Sequence, residues 1–86
     1  MRISTTKKFD KQFKKQSQKI QKEFGRRIEL FLVNNTSPML NIHKLSGNLK
    51  ELWSFNVSGD IRVVFDKSHG EEVVLVAIGS HSELYG

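Results

Sequence analysis

Large apolar residues fall at Phe9, Phe13, Ile20, Phe24, Ile28 and Phe31, at spacings of 4, 7, 4, 4 and 3. That recurrence marks one face of an α-helix. Thr5 or Thr6 can cap its start, and the stripe misses a turn at Gln16-Ser17-Gln18, where Ser17 can cap a second helix. The pattern therefore predicts two helices, or one bent one, ending near Asn34-Asn35. Ser37-Pro38 confirms the exit, because the residue before proline is driven out of the helical region. After Pro38 the period changes to two. Leu49 to Val57, Ile61 to Phe65 and Val73 to Ile78 are each strand-length and rich in β-branched or aromatic residues. Ser58-Gly59-Asp60 is a short link and Asp66 to Glu72 a longer one containing Gly70, so the three strands should form a meander of antiparallel hairpins. Ile3 can start a further edge strand, and Gly47, Gly59 and Gly79 are assigned to turns. Helices first and strands after give an α+β fold, with a short N-terminal strand and a helical hairpin packed on a small twisted antiparallel sheet.

At 86 residues the chain is read as one domain, 1–86, with one modest core and no linker or repeat. It has no cysteine, so a disulfide framework and thiolate metal sites are excluded, and a reducing cytoplasm is the expected compartment. The first residues, Met1-Arg2-Ile3-Ser4-Thr5-Thr6-Lys7-Lys8, lack the apolar core of a signal peptide, and no apolar run approaches the ~18 residues of a membrane span. A soluble domain without membrane partners is expected.

The net charge of +5 is unevenly distributed. Residues 1–50 hold twelve Lys and Arg against three acids, and residues 51–86 hold two against six. Nine of the basic residues lie between Lys7 and Arg27: Lys7, Lys8, Lys11, Lys14, Lys15, Lys19, Lys22, Arg26 and Arg27. A single exposed lysine needs no explanation beyond solubility. Nine in one helical segment point to a polyanion, because each neutralised phosphate releases condensed counterions.

Elimination narrows the chemistry. No Gly-rich phosphate loop, HExxH, CxxC or GxSxG motif is present, and His43, His69 and His81 lack metal-ligand spacing. What remains is a set of polar groups at strand ends: His43 and Lys44, then Asp60 and Arg62, then His81 and Tyr85. Each has an ordinary alternative. His69 belongs to a surface turn, His43 to a loop, His81 to a strand end, Tyr85 to packing and Trp53 to core or interface. Arg62 interrupts an apolar strand, where a guanidinium must meet an anion or a salt bridge to Asp60 or Glu51.

The run HKLSGNLKELWSFNVSGDIRVVFD, followed by VVLVAIGSHSELYG, resembles the RelE/ParE superfamily of bacterial type II toxins. The ending GSHSELYG is similar to that of its YafQ-like mRNA interferase branch, with the tail pattern G-[ST]-H-x-x-[LV]-[FY]. His43-Lys44-Leu45-Ser46-Gly47 and the strand Asp60-Ile61-Arg62-Val63-Val64-Phe65 carry the rest of the likeness, which covers essentially the whole chain. The resemblance implies a ribosome-dependent, metal-independent endoribonuclease without cofactor, in which the RNA 2′-OH attacks the adjacent phosphorus to leave a 2′,3′-cyclic phosphate and a free 5′-OH. It implies inhibition by a cognate acidic antitoxin, with ribosome and mRNA as the other partners. On the matching positions His81 is the general acid, Arg62 binds the phosphate, and His43 acts as base or orients the phosphate. Tyr85 stacks on or positions a nucleotide, and Asp60 orients a histidine or turns the hairpin. Lys44 and Lys50 are further cations near the phosphate, and the basic helices would dock on ribosomal RNA. Two positions depart from the branch: Asn56 stands where a second histidine is common, and Ala77 where an arginine is common. The general base is therefore left unassigned. Two other classes stay open, a gyrase-inhibiting ParE-like protein, which usually lacks the tail histidine, and a non-catalytic nucleic-acid-binding module.

Overall fold

The computed structural model describes residues 1–45 and 51–85. Gly47 and Lys50, and the Leu49 start expected for the first long strand, lie outside the described residues. The elements run β1 (Arg2–Thr5), α1 (Lys7–Lys14), α2 (Gln18–Val33), a single 3₁₀ turn (Pro38–Leu40), β2 (His43–Lys44), β3 (Leu52–Ser58), β4 (Ile61–His69), β5 (Glu72–Ser80) and α3 (His81–Tyr85). No helix among the described residues is long and apolar enough to cross a membrane.

The helical hairpin follows the sequence pattern closely. Thr6 accepts a hydrogen bond from the Phe9 N–H at 3.0 Å and Ser17 one from the Ile20 N–H at 3.2 Å, so each helix begins at a hydroxyl cap. Their apolar faces cover one side of the sheet, α1 against β5 and α2 against β3. All six phenylalanines meet there in two triplets. Phe9, Phe13 and Phe24 join the two helices, with ring centroids 5.1 to 5.9 Å apart. Phe31 packs on Phe55 and Phe65 of the sheet at 5.2 to 5.8 Å. Such offset and edge contacts add to the burial of large apolar surface. Arg27, half-buried at 15% side-chain exposure, ties α2 to the sheet layer: its guanidinium donates to the Met39 carbonyl at 2.7 Å, the Asn56 carbonyl at 3.3 Å and Glu23 at 3.0 Å.

The sheet has the order β1-β5-β4-β3-β2. The meander β3-β4-β5 is antiparallel as expected, but β1 pairs with β5 in parallel, so the five-stranded sheet is mixed. The α1–α2 hairpin carries the chain across one face to the far edge, and β1 is left beside the last strand running the same way. A four-residue edge strand has too little pattern to announce this. The expected link Asp66 to Glu72 is shorter than predicted. β4 runs on to His69, exposing Lys67, Ser68 and His69, and the reversal is made at Gly70, with φ +67°, and Glu71. Gly79 does not turn the chain but lies buried inside β5, opposite Arg62. Between Leu75 and Ala77 the register with β4 shifts by one residue, leaving Val76 as the extra residue of a bulge. Its carbonyl accepts from the Thr6 hydroxyl at 2.9 Å, and the Ile78 N–H donates to Gln12 Oε1 at 2.9 Å. The first helix thus satisfies polar groups that the ladder cannot.

Strand alternation sends Phe55, Val57, Val63 and Phe65 to the helices and Ser54, Asn56, Arg62 and Val64 to the other face. That second face carries the site.

Candidate functional site

Two rows of side chains cross the sheet face opposite the α1–α2 layer. Register places His43 beside Ser54, Val64 and Ala77 in one row, and Asn56 beside Arg62 and Gly79 in the next. β5 leads directly into α3, which turns back over Gly79. The turn is fixed by a reciprocal cap: Ser80 Oγ accepts from the Glu83 N–H at 3.2 Å, and Glu83 Oε1 accepts from the Ser80 N–H at 2.8 Å. Hydrogen bonding from Ser80, its backbone N–H foremost and its hydroxyl second, holds the Glu83 carboxyl below the usual carboxylate range. A Cβ at residue 79 would come within 3.1 Å of Glu83 Oε1 and 3.3 Å of Glu83 Cβ, so glycine is what lets α3 lie this close.

Within α3, His81 and Tyr85 are one turn apart and meet edge to face, with ring centroids 4.8 Å apart and planes at 60°. Together with His43, Lys44, Leu45 and Arg62 they line a cleft of about 260 Å³. Asp60 sits at its margin on the turn before β4. One carboxylate oxygen accepts from the His81 backbone N–H at 3.3 Å, and the other lies 3.6 Å from Arg62 Nη2.

Arg62 is the least satisfied group in the cleft. Its side chain is 24% exposed and its Nε is buried without a hydrogen-bond partner among the described residues. A guanidinium has five N–H donors, and one long contact to a carboxylate that is itself 62% exposed leaves most of them for an anion. His43 is held by two contacts: Nδ1 lies 3.1 Å from the Asn41 carbonyl and Nε2 3.3 Å from Ser54 Oγ. Lys44 Nζ is 3.6 Å from Glu51 Oε1, an exposed pair of little energetic weight.

The structure therefore gathers His43, Lys44, Arg62, His81 and Tyr85 around one cleft, with Asp60 joining Arg62 to the start of α3. Lys7, Lys8, Lys11, Lys14, Lys15, Lys19, Lys22 and Arg26 are exposed on α1, α2 and the link between them, in the layer on the other side of the sheet. Arg27 is turned into the body, as described above. Lys50 is outside the described residues. His69 lies exposed at the end of β4, with Nε2 3.3 Å from Asp66 Oδ2 and no place in the cleft. Sequence reasoning missed Leu45, Ser54 and the Ser80–Glu83 cap. Only the last had a readable signal, the spacing Ser-x-x-Glu in Ser80-His81-Ser82-Glu83. Among the described residues no group of three His, Asp or Glu side chains is placed to hold a metal ion.

Comparison with known proteins supplies the family. Solved structures with the same fold include the E. coli DinJ–YafQ complex, 20% identical over 100% of both chains with a TM-score of 0.78. A metal-bound toxin from Helicobacter pylori is 29% identical over 98% of both chains, with a TM-score of 0.70. The RelB–RelE antitoxin–toxin complex from Methanococcus jannaschii is 19% identical over 95% of this chain and 94% of that one, with a TM-score of 0.75. No curated protein sequence matches significantly. The family model described as the bacterial toxin of type II toxin-antitoxin system, YafQ, matches residues 1–86. With its tail histidine and aromatic on one short helix and a strand arginine lining the same cleft, the chain belongs to the YafQ family of bacterial type II toxin–antitoxin toxins.

Proposed function

We propose that this toxin is an mRNA interferase whose cleft cuts the RNA backbone on the ribosome. The observation that carries the reading is the under-satisfied Arg62 guanidinium lining one cleft with the paired rings of His81 and Tyr85 on α3 and the ring of His43 on β2. A nucleotide of an RNA strand supplies what that arrangement lacks: a compact phosphodiester anion for the arginine fork and a flat base for the aromatic edge.

The chemistry assigned to the cleft is transesterification. The 2′-oxygen forms a bond to phosphorus as its proton passes to a base, and the bond from phosphorus to the 5′-oxygen breaks as an acid protonates that oxygen. The products are a 2′,3′-cyclic phosphate and a 5′-hydroxyl. His81 suits the acid, since an imidazole nitrogen can carry and release a proton and no protein group hydrogen-bonds its ring nitrogens among the described residues. Arg62 neutralises charge gathering on the phosphoryl oxygens. Asp60 keeps Arg62 and the first turn of α3 in register by its two contacts. Lys44 adds positive potential at the rim, and Lys50 is proposed as a further phosphate-binding cation. Tyr85, 43% exposed, offers its ring to a nucleotide base. The basic layer of α1 and α2 binds ribosomal RNA without reading sequence.

The partner is read from the same charge. A basic toxin is expected to be silenced by an acidic antitoxin segment that folds as it binds. The DinJ–YafQ and RelB–RelE complexes are toxin–antitoxin complexes that each contain a chain of this fold, which supports that reading.

The test is expression of wild type and His81→Ala in cells, with mapping of mRNA 5′ ends and a parallel assay of gyrase supercoiling. Codon-phased cuts that His81→Ala lowers by about 10²-fold or more are expected, the range for a lost acid–base group. Intact mRNA with inhibited supercoiling would replace the reading with gyrase poisoning, and intact mRNA with normal supercoiling would leave a binding module.

A further inference from the structure

Ser54 lies in the middle of β3, 1% exposed, on the sheet face that floors the cleft. A hydroxyl buried this deeply needs a partner, and the one it has among the described residues is the His43 ring, 3.3 Å away on the neighbouring strand. The other ring nitrogen faces the Asn41 carbonyl at 3.1 Å. Asn41 ends the 3₁₀ turn in the left-handed region, φ +46°, a conformation asparagine tolerates, and its carbonyl meets the ring two residues on. A carbonyl oxygen can only accept. Nδ1 must therefore carry hydrogen whenever that contact is made, and in the neutral ring the lone pair is on Nε2, against Ser54. A serine hydroxyl donates to that lone pair and, after rotation, accepts from Nε2–H once the ring is protonated. The same two partners thus hold His43 in both charge states.

We propose that Ser54 is a positioning residue that fixes the His43 ring, with its Nε2 lone pair turned into the sheet. In this orientation His43 presents a ring face and a switchable positive charge to the cleft, not a free lone pair. Resting on the nuclease reading, the consequence is that His43 orients the substrate phosphate while proton transfer belongs to groups elsewhere in the cleft, His81 among them.

The hydrogen-bond assignment is tested on the free protein by ¹⁵N NMR of the imidazoles at a pH where they are neutral. Wild-type His43 is expected as the Nδ1–H form with an unprotonated Nε2, Ser54→Ala to shift towards a mixture of tautomers, and Ser54→Thr to restore the wild-type pattern. A wild-type ring in the Nε2–H form overturns the proposal, and that result needs no variant to fold. Single-turnover cleavage on ribosomes tests the positioning. Ser54→Ala should lower the rate about tenfold, as expected of a misplaced group, with KM within about twofold. In a His43→Ala background it should add nothing, because a residue acting through His43 is non-additive with its loss. Additive losses would show that Ser54 acts on the fold alone. Failure of the wild type to cleave RNA would remove the nuclease reading but leave the NMR result standing.

Discussion

Replacing Gly79 with alanine should separate the stability of this toxin from its activity. The backbone there is ordinary, as only Gly59 and Gly70 among the described glycines have positive φ, so a methyl group is not forbidden by conformation. Removing a glycine from the unfolded ensemble favours the folded state by about 0.4–1 kcal/mol. Against this, the new Cβ would stand 3.1 Å from Glu83 Oε1, 3.3 Å from Glu83 Cβ and 3.5 Å from Leu84 Cδ2. The carboxylate can swing aside, but Glu83 Cβ is fixed to α3, so the helix must lift by a few tenths of an ångström. Overpacking of this kind costs about 1–3 kcal/mol. The gain offsets only part of the cost, leaving a net loss of about 1 kcal/mol, visible as a fall of about 4–8 °C in Tm for a domain of this size. Activity has no such offset. His81 and Tyr85 ride on the displaced helix, and misplacement approaching 1 Å costs up to about 10²-fold. A urea titration and a ribosome cleavage assay on the same preparations decide it: Gly79→Ala should lose cleavage about tenfold while staying folded, and Gly79→Val should lose more. Full cleavage by a folded Gly79→Val would show that the close seating of α3 does not set the site.

Arg27→Met should destabilise the fold by about 1–3 kcal/mol by urea unfolding, since the Met39 and Asn56 carbonyls lose a charged donor, and Arg27→Lys should recover only part. Acidification should weaken the fold through Glu83 and Asp66. Both carboxyls are held below their usual range, Glu83 by hydrogen bonds from Ser80 and Asp66 by hydrogen bonds from Ser68 with the nearby His69. Their contribution is present above the unfolded carboxylate pKa and lost as pH falls through the lower folded values. Thermal melts should therefore steepen downward below about pH 4.5, and Glu83→Gln should flatten part of that fall; an unchanged acid limb would contradict the cap. Ribosome affinity should fall linearly with the logarithm of salt concentration, and Lys→Gln replacement of Lys7, Lys11 and Lys14 together should reduce the slope. A flat salt response would remove the basic layer from the interface.

The helices and the meander were legible because each has a period that chemistry enforces. The phenylalanine stripe at helical spacing had to find one surface, and the caps at Thr6 and Ser17 marked where each helix starts. Which way β1 runs was not legible, since four residues pair equally well in either sense until the hairpin fixes their place. His43, Arg62, His81 and Tyr85 could be nominated from the tail motif and strand ends, and register plus the turn of α3 bring them to one cleft. Arg27 shows the limit of charge counting. It stood in a run of nine basic residues, yet its environment on α2 sends the guanidinium inward to backbone carbonyls. Ser54 was invisible for a related reason: a serine among apolar strand residues says nothing until its cross-strand neighbour is known to be a histidine.

The central claim is that this cleft breaks RNA with His81 as acid and Arg62 as phosphate clamp. Its most direct measurement is the rate and end chemistry of mRNA cut by the purified toxin on programmed ribosomes, for wild type, His81→Ala and Arg62→Ala. The wild type should leave a 2′,3′-cyclic phosphate and a 5′-hydroxyl, with each variant slower by about 10²-fold or more and still folded. Cleavage at the wild-type rate by either variant, or ends bearing a 5′-phosphate, would contradict it.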